Sequence, residues 1–277
     1  MNPLRKLSGR WAIVTGASSG IGLEFARQLA AAGCNILAVS NQPDKLNAIT
    51  AELAATHGIQ AIPLPVDLTA PGAVADVMQA LAAHGITPAL LVNNAGIFDF
   101  KAVENLSPQR IDLYIDLHMR AVTHLSRNVA MLMTSSRQKG WILNMSSMSC
   151  WMPMPGIAMY SATKAYIRAF SRALRVEMKP RGISVTVACP GGIATGLFGL
   201  PPRLQRLGVA VGALATPQKF VRHALNRTLR GKPQYINGTL NRLAIAFVAS
   251  LPEWARLQIK TGLLDRLDHP SPNTAKS

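Results

Sequence analysis

Residues 11–22 read WAIVTGASSGIG, and the character of the chain changes within them. The run Trp11–Gly16 is apolar and β-branched, as a buried strand requires. Gly16, Gly20 and Gly22 then form a G-x-x-x-G-x-G turn, with Ser18, Ser19 and Ile21 between them, and residues 20–32 open a helix. Glycines at such a turn let the backbone approach a pyrophosphate closely. The helix N-terminus behind it offers unpaired N–H groups and the positive end of the helix dipole. The spacing is not G-x-G-x-x-G, and a glycine-rich turn alone is weak evidence. Its placement between a strand and a helix gives it weight.

The same alternation continues outward from this stretch. Further strands are predicted at 35–40, 61–68, 89–96, 141–146 and 183–191, with helices at 44–57, 71–84, 108–135 and 158–179. Short apolar strands separated by longer helical segments predict an open parallel sheet covered by helices. Residues 192–215, rich in Gly, Pro, Leu and Ala, suit a lid beside a strand end. A helix is predicted at 217–230, and the stretch 239–266 reads as one or two amphipathic helices broken at Pro252. This divides the chain into a single catalytic domain, 1–238, and a basic amphipathic extension, 239–277, with a disordered tail.

A chain of 277 residues with 49% hydrophobic content can bury a sizeable core as one domain. The N-terminal run MNPLRKLSGRW has no apolar segment of the signal-peptide kind. Cys34, Cys150 and Cys189 are few and scattered, and His57, His84 and His124 fall on separate predicted helices. A disulfide framework and a metal site are therefore not expected, and a reducing cytoplasmic setting is. The net charge is +16, of which residues 201–277 contribute +9. No basic run interleaves with aromatic residues, so nucleic acid is not expected as a partner.

Tyr160 and Lys164 lie four apart in YSATK, on one face of the predicted helix, and Ser147 precedes Tyr160 by thirteen residues. An ammonium against a phenol lowers the phenol pKa from about 10. With a serine hydroxyl beside it, the phenol becomes a general acid or base for a carbonyl or alcohol oxygen.

Taken together, these motifs resemble the short-chain dehydrogenase/reductase family over about residues 8–200. TGASSGIG resembles that family's cofactor turn, and Asn93-Asn94-Ala95-Gly96 its motif after the fourth strand. Ser147, Tyr160 and Lys164 fall on its catalytic serine, tyrosine and lysine. Pro190-Gly191, with Ile193 and Thr195 following, resembles the turn that meets the nicotinamide carboxamide, and Asp67 with Leu68 the position beside the adenine. The resemblance implies an α/β, Rossmann-like doubly wound parallel sheet of about seven strands with a C-terminal helical extension. It further implies hydride transfer between nicotinamide and a carbonyl carbon, with Tyr160 moving the proton, Ser147 holding the oxygen and Lys164 serving both tyrosine and ribose. A homodimer or homotetramer is the family's usual state.

Two positions depart from that family's pattern. His118, in DLHMRAV, stands where an asparagine is usual, and is expected to anchor a water or to shuttle protons near neutral pH. The end of the second strand reads Ser40-Asn41, with no carboxylate to repel a 2′-phosphate, and Lys45 is the nearest cation. The resemblance therefore implies NADP(H) in preference to NAD(H).

The uncharged segment 148–159 carries Met148, Trp151, Met152, Met154 and Met159. With Gly192, Leu197 and Phe198 of the lid, it is expected to wall an apolar, adaptable pocket. The variant ILNMSS…YSATKAY and the ending YINGTLNRLAIAFVASLPEWARL resemble the 17β-hydroxysteroid dehydrogenase/long-chain 3-ketoacyl reductase branch. That implies a lipophilic substrate: fatty-acyl, sphingoid or steroid-like. Arg242, Arg256 and Lys260 around Leu243–Leu251 fit an element that lies on a membrane. The alternative reading is a catalytically weakened nucleotide-binding protein that acts through partners.

Overall fold

The computed structural model describes residues 3–195, 201–210 and 214–264. Its first half alternates β1 (Trp11–Thr15), α1 (Gly20–Ala30), β2 (Asn35–Ser40), α2 (Pro43–His57), β3 (Ala61–Pro65), α3 (Ala73–Ala83) and β4 (Pro88–Asn93). Then follow α4 (Pro108–Ile115), α5 (Val122–Ser135), β5 (Gly140–Met145), α6 (Ala158–Met178) and β6 (Ile183–Ala188). The chain continues through α7 (Pro202–Ala210), α8 (Pro217–Leu229), β7 (Gln234–Tyr235), α9 (Thr239–Ala249) and α10 (Glu253–Ile259).

The seven strands form one sheet in the order β3-β2-β1-β4-β5-β6-β7, and every pairing is parallel. Both faces are covered, which is why the central strands are apolar along their whole length. On one face Phe25 and Leu29 of α1 meet Phe220 and Leu225 of α8. On the other, Val77 and Leu81 of α3 join Leu125 and Val129 of α5 and Leu174 of α6. The strand order reverses between β1 and β4, and the crevice at their carboxyl ends is where ligands of such sheets sit.

Four predicted elements differ clearly in extent; β6, predicted over 183–191, ends at Ala188. β3 ends at Pro65 rather than residue 68, because Asp67 turns the chain by accepting from Thr69 N (3.0 Å) and Thr69 Oγ1 (2.8 Å). Pro63 and Pro65 are tolerated because β3 is an edge strand. β4 stops at Asn93, where the Thr15 hydroxyl takes over as acceptor for Asn94 N (2.9 Å) and Ala95 N (3.0 Å). The helix predicted over 108–135 is interrupted by a π-helical turn, Asp116–Ala121, between α4 and α5. Pro252 separates α9 from α10 as the sequence predicts. Ala194 N to Ala215 O (3.0 Å) and Ala215 N to Gly192 O (2.9 Å) join the two ends of the segment 192–215.

Candidate active site

The crevice at the β1–β4 switch is a cleft of about 710 Å³. Its floor is the turn between β1 and α1. Gly16 has φ +66°, and a Cβ there would sit 3.0 Å from Ala95 Cα. At Gly22 a Cβ would collide with the Gly16 carbonyl oxygen and lie 2.6 Å from Asn94 Nδ2. The turn therefore accepts only glycine at both positions, and Asn94 locks it by donating from Nδ2 to Thr15 O at 3.0 Å. A backbone cradle at a helix N-terminus, open to a cleft of this size, fits a dinucleotide.

The structure brings most of the sequence-derived positions to this cleft: Ser18, Ser19, Gly20 and Ile21 of the turn, Ser40 and Asn41 after β2, and Asp67 and Leu68 after β3. Asn94, Ala95 and Gly96, Tyr160 and Lys164, and Pro190 and Thr195 complete it. Gly22 lies beneath the turn rather than on the cleft surface, Gly191 binds Asn237 Oδ1 through its N–H (2.8 Å), and Ile193 is buried. At the end of β2, Ser40 Oγ meets Ser18 Oγ at 2.8 Å, and no carboxylate follows.

Tyr160 and Lys164 share the buried face of α6 with Ser161, Thr163, Ile167 and Ser171. Ser147 is the side chain that acts on the Tyr160 phenol, and Lys164 Nζ donates to Met145 O at 3.1 Å. The register of α6 is fixed from beneath. Ser146 Oγ donates to Lys164 O (2.7 Å), and Asn144 Nδ2 to Ser171 Oγ (2.9 Å).

Burial pushes the Tyr160 phenol up to about 12, opposed by Ser147 and reinforced by Cys150. The expected lowering by Lys164 is overturned. The ammonium lies over the ring, 5.5 Å from its centroid, and burial draws Lys164 itself down to about 8. The phenol is thus protonated at neutral pH, the state that can give a proton to a carbonyl oxygen.

His118 occupies the π-helical turn and is fully buried. Its Nε2 accepts from Ile97 N at 3.1 Å, which assigns the ring proton to Nδ1, 2.9 Å from Thr163 Oγ1. The Thr163 hydroxyl in turn donates to Tyr160 O at 3.0 Å. Burial, with Lys164 and Arg110 nearby, holds His118 well below the usual imidazole range. The expectation of a shuttle near neutral pH is corrected: the ring stays neutral and both nitrogens are engaged, tying the β4 loop to α6.

The pocket wall is only partly as expected. Met148 N binds Pro190 O (2.8 Å), and Met148, Trp151, Met154 and Gly192 are half-buried, while Leu197 and Phe198 lie outside the described residues. One face of Trp151 is covered by the Arg168 guanidinium at 4.4 Å. Helix α9 packs against the turn Met148–Trp151, and the Asn241 side chain sits against Gly191. Sequence reading missed Asn237 and Asn241, because nothing local marks an asparagine that meets a turn far away in the chain. It also missed Arg110 of α4, which lines the cleft while pairing with Asp99 at 2.7 Å. Among the described residues no cluster of metal ligands is found.

The sequence profile of the short chain dehydrogenases matches residues 10–200. The chain is 30% identical to human 17-beta-hydroxysteroid dehydrogenase type 3, over 89% of this chain and 77% of that protein. It is 31% identical to the very-long-chain 3-oxoacyl-CoA reductase of Bos taurus, over 91% and 78%. It is equally 31% identical to the inactive hydroxysteroid dehydrogenase-like protein 1 of Pongo abelii, over 91% and 75%. Among solved structures, a short-chain dehydrogenase from Sphingobium yanoikuyae in complex with NADPH aligns with a TM-score of 0.75 and 27% identity, covering 88% of this chain and 97% of that one. With the parallel sheet, the glycine cradle and the profile in agreement, this chain belongs to the short-chain dehydrogenases, in their hydroxysteroid dehydrogenase/3-ketoacyl reductase-like branch, and is an oxidoreductase.

Proposed function

We propose that the protein interconverts a ketone and a secondary alcohol on a lipophilic substrate, fatty-acyl, sphingoid or steroid-like, with NADP(H) preferred to NAD(H). The observation that carries this reading is that Tyr160 and Lys164 both line the dinucleotide-sized cleft, with the Lys164 ammonium over the Tyr160 ring and Ser147 acting on the phenol beside it. Bound nicotinamide supplies or accepts the hydride. Tyr160 gives its proton to the carbonyl oxygen in reduction and takes it back in oxidation. Ser147 holds the same oxygen through its hydroxyl, and Lys164 carries the positive charge next to both. His118 acts as a positioning residue, through Ile97 and Thr163. The preference for NADP(H) rests on Ser40 and Asn41, where a carboxylate would repel the 2′-phosphate. The lipophilic substrate rests on the uncharged turn over Met148–Trp151 and on α9 packed against it.

No described helix is long and apolar enough to cross a membrane. A peripheral contact is nevertheless part of the proposal. Leu240, Leu243 and Phe247 of α9 and Trp254 and Leu257 of α10 are 57–68% exposed, with Arg242 among them. An apolar helix face at the surface, flanked by basic side chains, matches an anionic bilayer. A second copy of the chain would bring its own charge of +16 against the same patch. The cytoplasm, and assembly as a homodimer or homotetramer through other surfaces, complete the reading.

The test is nicotinamide absorbance with NADPH and a panel of long-chain and steroid ketones. Tyr160→Phe is expected to lower kcat by about 10³-fold while NADPH still binds. The second reading, a weakened nucleotide-binding protein, is favoured by His118 in the π-helical turn. NADPH binding without turnover on any ketone or alcohol would select it, and turnover unchanged in Tyr160→Phe would refute the chemistry proposed here.

A further inference from the structure

The fold places two cysteines from distant parts of the chain side by side, and the catalytic groups make no use of either. Ser146 N binds Ala188 O at 2.7 Å and Met148 N binds Pro190 O at 2.8 Å, so the segment after β5 runs beside the end of β6. The turn Met148–Trp151 then folds Cys150 back onto the small apolar cluster of Val122, Ile167, Val187 and Cys189. Cys189 is fully buried, whereas Cys150 is partly exposed.

Their surroundings are unequal. Cys150 also reaches the Ser146 side chain and feels the positive charge of Arg168. That guanidinium lies over Trp151, and its Nε has no hydrogen-bond partner among the described residues. Cys189, Ser146 and Arg168 together hold the Cys150 thiol below its usual range, while Cys150 and burial push Cys189 up. One thiol is thus equipped to react and the other to wait beside it.

We propose that Cys150 is a site of reversible oxidation by hydroperoxides, with Cys189 as its resolving thiol, and that the resulting disulfide switches the active site off. The Cys150 thiolate attacks one peroxide oxygen. An S–O bond forms, the O–O bond breaks, and the other oxygen leaves as water or an alcohol after taking a proton. Sulfur loses two electrons and the peroxide gains them, leaving a sulfenic acid. Cys189 then gives up its proton and attacks that sulfur. The S–S bond forms, the S–O bond breaks, and hydroxide leaves with the proton as water. The crosslink ties the turn that follows Ser147 to the strand end that precedes Pro190 and Gly191, and so moves the serine against the nicotinamide turn. Reduction by a dithiol returns both thiols.

The experiment treats the full-length protein with hydrogen peroxide and maps its peptides without reduction. The expected product is a Cys150–Cys189 crosslinked pair, with Cys34 still a free thiol. Cys34 serves as the internal control, since burial raises it to about 12 and its Sγ donates to Arg10 O. In Cys189→Ser the sulfenic acid at Cys150 should persist and be trapped by dimedone. Turnover should fall on the order of tenfold or more on oxidation and return with dithiothreitol, as misplacement of a reacting group by about 1 Å requires. Recovery of Cys150 and Cys189 as separate free thiols, at a peroxide dose that oxidises surface methionine, would overturn the proposal. So would a crosslinked protein with unimpaired turnover. The peptide map needs no substrate, so its outcome is independent of the oxidoreductase reading.

Discussion

At Tyr160, burial and the Ser147 side chain pull one phenol in opposite directions, and burial wins. With the phenol near 12, the group that titrates in the working range is Lys164, drawn down to about 8 by burial. Its ammonium is present below that pH and lost above it. Reductive kcat/KM should therefore be level at about pH 6–7 and fall up to about tenfold per unit above about pH 8. A pH–rate profile checks this, and Lys164→Met should be slow throughout with no such inflection. His118 gives a second prediction at this scale. Because the ring is already neutral, His118→Asn should leave the profile between about pH 5.5 and 7.5 unchanged in shape. Its effect should appear as a raised KM for NADPH, through the loop that Ile97 anchors. A wild-type inflection near pH 6.5 that the variant lacks would restore the shuttle role. Tyr160, Lys164 and Ser147 were legible in the sequence because their spacing is local or follows a known motif. The occupation of both His118 nitrogens was not, because Thr163 and Ile97 reach the ring from other elements.

Between the strands and helices that carry these groups runs a buried polar network. Asn93 Nδ2 donates to Ser126 Oγ at 3.0 Å and to Asn144 Oδ1 at 2.8 Å, and Asn144 donates on to Ser171 of α6. β4, β5, α5 and α6 are therefore held in one register. Asn144→Ala removes the shared partner and leaves buried donors unpaired, at a cost of about 1–3 kcal/mol. Denaturant unfolding should show that loss, together with a lower kcat, since α6 carries Tyr160 and Lys164. Helix α9 gives the element-scale test of the surface proposal. Its inner side meets the turn after Ser147, while Leu243 and Phe247 point outward at 68% and 67% exposure. Leu243→Glu with Phe247→Glu should abolish flotation with anionic vesicles and leave helical content intact, and raised salt should weaken binding of the unaltered protein. Flotation that survives the double substitution would refute the contact. The break at Pro252 was legible in the sequence. The π-helical turn was not, since 108–135 keeps an uninterrupted helical period.

Over the whole molecule, the excess of basic residues in the last quarter is divided: Lys219, Arg222, Arg227, Arg230 and Lys232 lie on α8 and the turn after it, which packs against α1, whereas Arg242 lies on α9, which meets the turn after Ser147. The sequence by itself determined the alternation of strands and helices, the glycine turn, the tyrosine–lysine pair and the missing carboxylate after β2. Each is a local pattern, in which propensity, spacing or backbone freedom acts within a few residues. Only the tertiary structure decided that Tyr160 is raised rather than lowered, that His118 is spent on holding the β4 loop, and that Asn237 and Asn241 brace the turn at Gly191. It also placed Cys150 on Cys189. Desolvation and contacts between distant segments exist only once the chain has closed its core around them.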